Sequence, residues 1–389
     1  MENVLPKYKR PLTNSSEPTV DVSFWDEAID AFDEKEFRKA AIATVNYVNP
    51  NLLKNVDTEQ DINIVQMQGT AEIQLQITKD TFSVKAPFLK ITDKTNKVAL
   101  LRKVSEVNFS PLTLPQIHLR NNELWFEYEM HIGLSQPNKV YDILREVCVH
   151  ADDYDNLFIE NYHASFYKEP KIVPLSETDK ESTWKHIQEI LQQYKEYSAF
   201  FKEKRWDDFE WDIIVISLFQ ISNMPYVHGK LRTDIQEYIS NMFNGNLDFT
   251  FRKEKGTNFM KELCAKSKED IMKDVYHAEH FISLRWRSSE QIIKDWAKNR
   301  LEMVQKYEKD NSNFNLSYYL ELQFLKLIYD YNIEKKYLNA LHTVLEEVSG
   351  LEPNVAKPKL TKVFYQLLNG EINETTTKKK KGFFSNLFN

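Results

Sequence analysis

Glycine is scarce: the chain of 389 residues has only 8. Loops that cradle a phosphate or a dinucleotide need glycine, because backbone must approach the ligand closely. Neither GxGxxG nor a GxxxxGK run ending in Ser or Thr occurs, so no nucleotide-binding loop and no cofactor is expected. Cysteine is as sparse. Cys148 and Cys264 stand far apart in helical patterns, where a free thiol is usually a small core residue. There is no CxxC, and two cysteines make no disulfide framework. Long apolar runs are missing too, the longest being of the Ile213–Ile216 kind. The opening MENVLPKYKR lacks the apolar stretch of a signal peptide, so the expected location is cytoplasmic.

What the chain does have is core-forming material. Hydrophobic residues make up 42% and aromatics 13%, enough for two folded domains at this length. The net charge of −7 is unevenly spread: residues 21–170 hold 15 Lys and Arg against 24 Asp and Glu. An acidic domain repels phosphate backbones, so nucleic acid is not an expected partner.

Residues 1–20 read as a flexible arm and 21–167 as an α/β domain. Phe24 to Val45 carry apolar residues at helical spacing, interrupted at Asp33-Glu34-Lys35 and stopped by Asn49-Pro50. Ile62–Met67, Thr70–Thr78 and Phe82–Ile91 read as three antiparallel strands, the middle one alternating Ala71, Ile73, Leu75, Ile77 with Glu72, Gln74, Gln76. Lys97–Val107 is a helix. Gln116–Arg120 and Glu123–Gly133 form a hairpin through Asn121-Asn122, since asparagine tolerates the positive φ of a two-residue turn. Asn138–Ala151 closes the unit as a helix, which Asp152 to Tyr167 extends.

The fold class is therefore α+β: an α-β-β-β-α-β-β-α domain with one antiparallel sheet, then an all-α domain. This order resembles the type III secretion chaperone-like fold, which includes Tir-type chaperones and YbjN-like proteins. The resemblance is of topology, length and acidic balance over some 140 residues. It implies binding of an unfolded segment of another protein, without catalysis. The size departs from it, because more than 200 further residues follow.

Residues 168–179, with Pro170 and Pro174, read as a linker, and 180–369 as helices at Thr183–Lys204, Trp206–Asn223, Leu231–Phe243, Phe259–Arg285, Ser289–Lys309, Ser317–Tyr331, Lys335–Ser349 and Lys359–Leu368. Phe32-Asp-Glu-Lys-Glu-Phe37 is echoed by Phe201-Lys-Glu-Lys-Arg-Trp206 and more loosely by Tyr331 to Tyr337. The unequal intervals read as recurring helix–turn–helix chemistry, not as a stacked repeat.

His277 and His280 are the metal candidates, because histidines three apart share a helix face. No further HxxH or HExxH completes a ligand set, so surface or core histidines are the expectation. Trp125, Glu127, Glu129 and His131 line the polar face of the hairpin strand. That face reads as solvated, and as a peptide-contact surface if function resides there. No serine, cysteine or histidine arrangement makes a nucleophile.

Residues 370–377 form a polar tether. Lys378, Lys379, Lys380 and Lys381 follow, then Phe383, Phe384, Leu387 and Phe388 on one helical stripe. A basic cluster beside an aromatic wedge suits an anionic bilayer or a hydrophobic groove on another protein. The short stripe is similar to the membrane-docking helix of the bacterial signal-recognition-particle receptor. The expectation is a non-catalytic chaperone or adaptor, secretion-associated, that binds another protein and docks through this tail, with peripheral membrane contact as the second reading of the tail. The rivals are a structural or regulatory subunit of a secretion or envelope machine and, more remotely, a metal-assisted enzyme. Oligomeric state is open, a homodimer being one option.

Overall fold

Strand alternation and the helical stripes produce the elements they announce. The computed structural model describes residues 4–11, 18, 21–170 and 172–372; the tail at 378–388 and most of its tether lie outside them. The chain divides into two compact units. One is Pro11–Trp286, and the other joins Met1–Arg10 to Arg287–Asn389.

The first unit opens with α1 (Ser23–Asp33) and α2 (Phe37–Val48), followed by β1 (Ile62–Gln68), β2 (Ala71–Ile77), β3 (Thr81–Lys90), α3 (Lys97–Phe109), β4 (Gln116–Arg120), β5 (Glu123–His131) and α4 (Pro137–Tyr162). The strands form one antiparallel sheet in the order β1-β2-β3-β5-β4. Asn121 and Asn122 turn the β4–β5 hairpin at φ 49° and 64°, as the two-residue loop requires. Helix α4 carries Val140, Ile143, Leu144, Val147 and Cys148 into the core without exposure. There they join Phe82, Val84 and Phe126 from the sheet. Phe88 packs edge-on against Phe126 and Phe158, ring centroids 4.9 and 5.5 Å away, a favourable quadrupole geometry. This α+β order is the one read from the sequence.

The same unit continues through a short β6 (Ser165–Phe166) and β7 (Val173–Pro174), then α5 (Glu177–Lys204), α6 (Asp207–Ser222), α7 (Gly229–Phe243), α8 (Phe249–Ala265), α9 (Lys268–Met272) and β8 (Tyr276–His277). Helix α6 is apolar all round, and Ile213 through Ile221 are nearly all buried, as befits a central helix. The linker range 168–179 thus lies within this unit, with β7 paired to β8. The two closest aromatic echoes share a cause. Lys35 and Arg205 each take a left-handed φ between two helices, and the flanking rings of Phe32–Phe37 and Phe201–Trp206 meet across the turn.

Two expected helices are corrected: Ser289–Lys309 is broken at 299–300 into Glu290–Lys298 and Leu301–Lys309, and Phe259–Arg285 is broken more deeply. Residues 259–285 are not continuous: α8 ends at Ala265, Ser267 caps the short α9, and 276–286 is non-helical, with β8 at Tyr276–His277 and bends at 281–282 and 284–285. This path is favoured because it lets Phe281 and Ile282 join the sheet core while its backbone finds partners. Gly69 N donates to the Glu279 carbonyl at 2.8 Å, and Ile282 N to Gln68 Oε1 at 3.0 Å.

The second unit contains α10 (Glu290–Lys298), α11 (Leu301–Lys309), α12 (Asn313–Asp330), α13 (Lys335–Val348) and α14 (Pro353–Asn369). Residues 4–10, in the range expected as a flexible arm, pack against it. Leu5 is fully buried and donates its N–H to the Leu351 carbonyl at 2.8 Å. The Tyr8 hydroxyl meets His342 Nδ1 at 2.6 Å. Three apolar residues in seven, Val4, Leu5 and Tyr8, make no periodic signal, which hid this docking.

Candidate binding pocket in the 11–286 unit

The ladder between β2 and β3 runs from Ile77↔Phe82 only as far as Gln74↔Lys85. Beyond it Pro87 has no N–H to donate, and a register shift between Pro87 and Leu89 bends β3. The start of β2 splays away, and β6 takes its place beside Leu89 and Lys90. The gap is a cavity of about 220 Å³. Its walls are Met67 and Ala71 on one side, Pro87 and Phe88 on another, and the Phe166–Pro170 segment across them.

The floor is polar. Ala151 and Asp155 of α4 reach it, together with Thr70 from the β1–β2 turn. Gly69 adopts φ +56° in that turn, and a Cβ there would stand 1.9 Å from Asp152 Oδ1, so only glycine fits. The close approach lets Thr70 N donate to Asp152 Oδ1 at 2.9 Å, while the Thr70 hydroxyl donates to Asp152 and Asp155. Arg232 of α7, 4% exposed, reaches in from behind. Its Nη1 meets Asp152 Oδ2 at 3.2 Å and its Nη2 meets Asp153 Oδ1 at 2.5 Å. Asp155 is 3% exposed, and among the described residues it pairs with no cation. Burial, and then the Asp152 charge, push its carboxyl up to about 8.

The rim carries charges that are already engaged. Lys168 Nζ meets Glu72 Oε2 at 2.9 Å, and the bonds from Lys168 and Gln74 hold Glu72 below the usual carboxylate range. Tyr167 donates its N–H to the Phe88 carbonyl at 3.2 Å. Its ring meets Trp125 at 5.2 Å and receives Lys90 Nζ at 4.7 Å.

Trp125, Glu127, Glu129 and His131 do share one sheet face, and cross-strand pairing sets Trp125 beside Pro87. Trp125 therefore borders the pocket, whereas the other three run away from it. Glu127 meets Arg120 at 2.5 Å and Glu129 meets Lys85 at 4.0 Å. His131 Nδ1 accepts from Gly133 N at 3.1 Å. His277 lies on β8 and His280 in the irregular segment after it, so the shared helix face is absent. His277 packs edge-on against Tyr226, and buried His280 lies with its ring centroid 5.6 Å from that of His228. Burial, His280 and Arg232 hold His228 well below the usual imidazole range. Among the described residues, no group of three or more His, Cys, Asp and Glu is arranged to hold a metal ion. Burial also pushes the Cys148 thiol well up, away from the reactive thiolate. The tail residues Lys378–Lys381, Phe383, Phe384, Leu387 and Phe388 lie outside the described residues.

Asp155, Thr70 and Phe166 escaped the sequence reading. The only available signal was the ADDYD run late in α4, which is more acidic than a buried helix end needs. Among the described residues, no helix is long and apolar enough to cross a membrane. No protein-family model matches the chain, and no curated protein matches it.

Proposed function

We propose that the protein is a non-catalytic polypeptide-binding protein, a chaperone or adaptor, which holds an extended segment of another protein and anchors one of its side chains in the β2–β3 pocket. The size of the cavity carries this reading. About 220 Å³ falls below the roughly 300–1,000 Å³ typical of sites for cofactors and drug-sized ligands, and suits a single side chain. The strand edges beside it favour an extended partner. β4 is an edge blocked at Ile117, whose N–H and carbonyl both bond the Asn108 side chain, at 2.7 and 3.0 Å. β1 pairs as a strand only with β2 among the described residues; 279–282 bond its Gln66–Gly69 end, while at Val65, 63% exposed, the edge is open to strand addition. The element order, which resembles that of type III secretion chaperone-like folds, supports the same reading.

Hydrogen exchange tests it. Incubating the full chain with a chemically unfolded, carboxymethylated protein should protect 67–72 and 166–170. Met67→Trp, which fills the pocket from a half-buried position, should abolish that protection while leaving the melting temperature within a few degrees. Absence of protection at both segments in the unsubstituted protein would overturn the proposal. On this reading the basic-aromatic tail serves as the docking element, delivering the complex to a larger partner.

A further inference from the structure

We infer that the side chain taken by the pocket is basic, an arginine or lysine within an otherwise apolar segment, whose cation meets Asp155 at the floor. This rests on the polypeptide-binding reading and names its anchor. The walls and the floor ask for different things. Met67, Pro87, Phe88 and Phe166 offer apolar and aromatic surface to an alkyl stem, as long cationic side chains prefer. Asp155 offers a carboxylate that no cation of the described residues satisfies. Arg232 is spent on Asp152 and Asp153, and Lys168 on Glu72. A neutral apolar anchor would leave this carboxyl facing hydrocarbon, and an acidic one would meet Glu169 with like charge and hold Asp155 in its protonated form, with no gain from it.

The charge balance has a measurable consequence. In the empty pocket Asp155 keeps its proton over the neutral range, because burial and Asp152 disfavour the anion. A bound cation favours the anion, so binding expels the proton to solvent. The other groups facing this carboxyl work in known directions. Asp152 and Asp153 on the same helix raise it, and the Thr70 hydroxyl and the Asn156 N–H, which both donate to it, lower it. Arg232 stands behind them on α7, Tyr276 lies within electrostatic reach, and Glu72, Lys168 and Glu169 occupy the mouth. Affinity for a basic anchor therefore rises with pH until Asp155 is ionised in the free protein, and flattens above that.

The test uses the full chain and dodecapeptides of alanine, leucine and serine with one central arginine, lysine, norleucine, phenylalanine or glutamate. Fluorescence anisotropy at pH 8.5 should rank arginine and lysine about tenfold or more above norleucine, one order of magnitude per pKa unit of coupling. Asp155→Asn keeps the acceptor for Thr70 and should erase that preference. Calorimetry of the unsubstituted protein at pH 7, in two buffers of different ionisation enthalpy, should find about one proton released with the arginine peptide and none with norleucine. Equal or tighter binding of norleucine or phenylalanine, with 67–72 still protected, overturns the basic anchor and leaves polypeptide binding standing. Zero proton release overturns it even where Asp155→Asn fails to fold. No protection by any peptide, or by the unfolded protein, overturns both.

Discussion

Arg232 in the 11–286 unit and Glu321 in the C-terminal unit are both ionisable side chains sealed in a core, 4% and 1% exposed. Arg232 arrives with two carboxylates already placed for its guanidinium, 80 and 79 residues away in sequence. Burial works against its charge, but Asp153 and Asp152 outweigh it and raise its pKa. Glu321 sits on α12 with neither carboxyl oxygen bonded to any described group, and burial alone pushes its pKa well above the usual range. The first arrangement fixes geometry: by holding Asp152 and Asp153, it sets where the Gly69–Thr70 turn and the pocket floor lie. The second is cheapest when the acid is neutral, and it orients nothing. A buried charge is thus informative about a site when its partners come from distant elements.

The comparison can be broken most forcefully at Arg232. Arg232→Met leaves Asp152 and Asp153 buried without their cation and should lower the stability of the 11–286 unit by about 3–5 kcal/mol in urea denaturation. A loss under about 1 kcal/mol would mean that the network is ornamental. The effect at Glu321 should be smaller and of opposite sign. Glu321→Met removes an unpartnered acid and should stabilise the C-terminal unit by about 1–3 kcal/mol at pH 8. The pH dependence sharpens this. With the folded pKa raised above the ordinary 4.5, the folded state binds more protons than the unfolded one throughout the interval between the two values. Glu321 therefore makes stability fall as pH rises from about 4.5 upward, and Glu321→Gln should flatten that slope in a pH series of thermal melts. The smallest effect belongs to the sheet face. Glu127→Ala removes a partly buried carboxylate and its pairing with the exposed Arg120 and should change stability by about 1 kcal/mol, because Arg120 returns to water.

The sheet was legible where a strand has one wet face: alternation at Ala71–Ile77 and Leu124–Met130 reports burial directly, whereas β3 is buried on both faces at 82–84 and 86–89. The Asn121-Asn122 turn was legible because few residues accept its φ. Trp125 was found for the same local reason, as a large ring on the polar side of a strand. Asp155, Thr70 and Arg232 were not, because their meeting depends on α4, the β1–β2 turn and α7 converging, and spacing along the chain carries no trace of that. The histidine pair was misread for a related reason. Apolar residues at helical intervals also fit a non-helical segment whose few buried side chains, Phe281 and Ile282, serve another element's core.

The docking of residues 4–10 bears on the order in which the protein assembles. Tyr8 and His342 are 334 positions apart, and Arg10 closes on Glu346 at 3.4 Å. Residues 4–10 are therefore a structural part of a unit whose other residues follow position 286. Along the chain, the 11–286 unit is thus inserted between the two pieces of the other. Contacts of such sequence separation are slow to form and are made late. Removing residues 4–10 therefore takes away part of this unit's core, and removing α12 and α13 leaves Leu5 and Tyr8 without the residues that bury them.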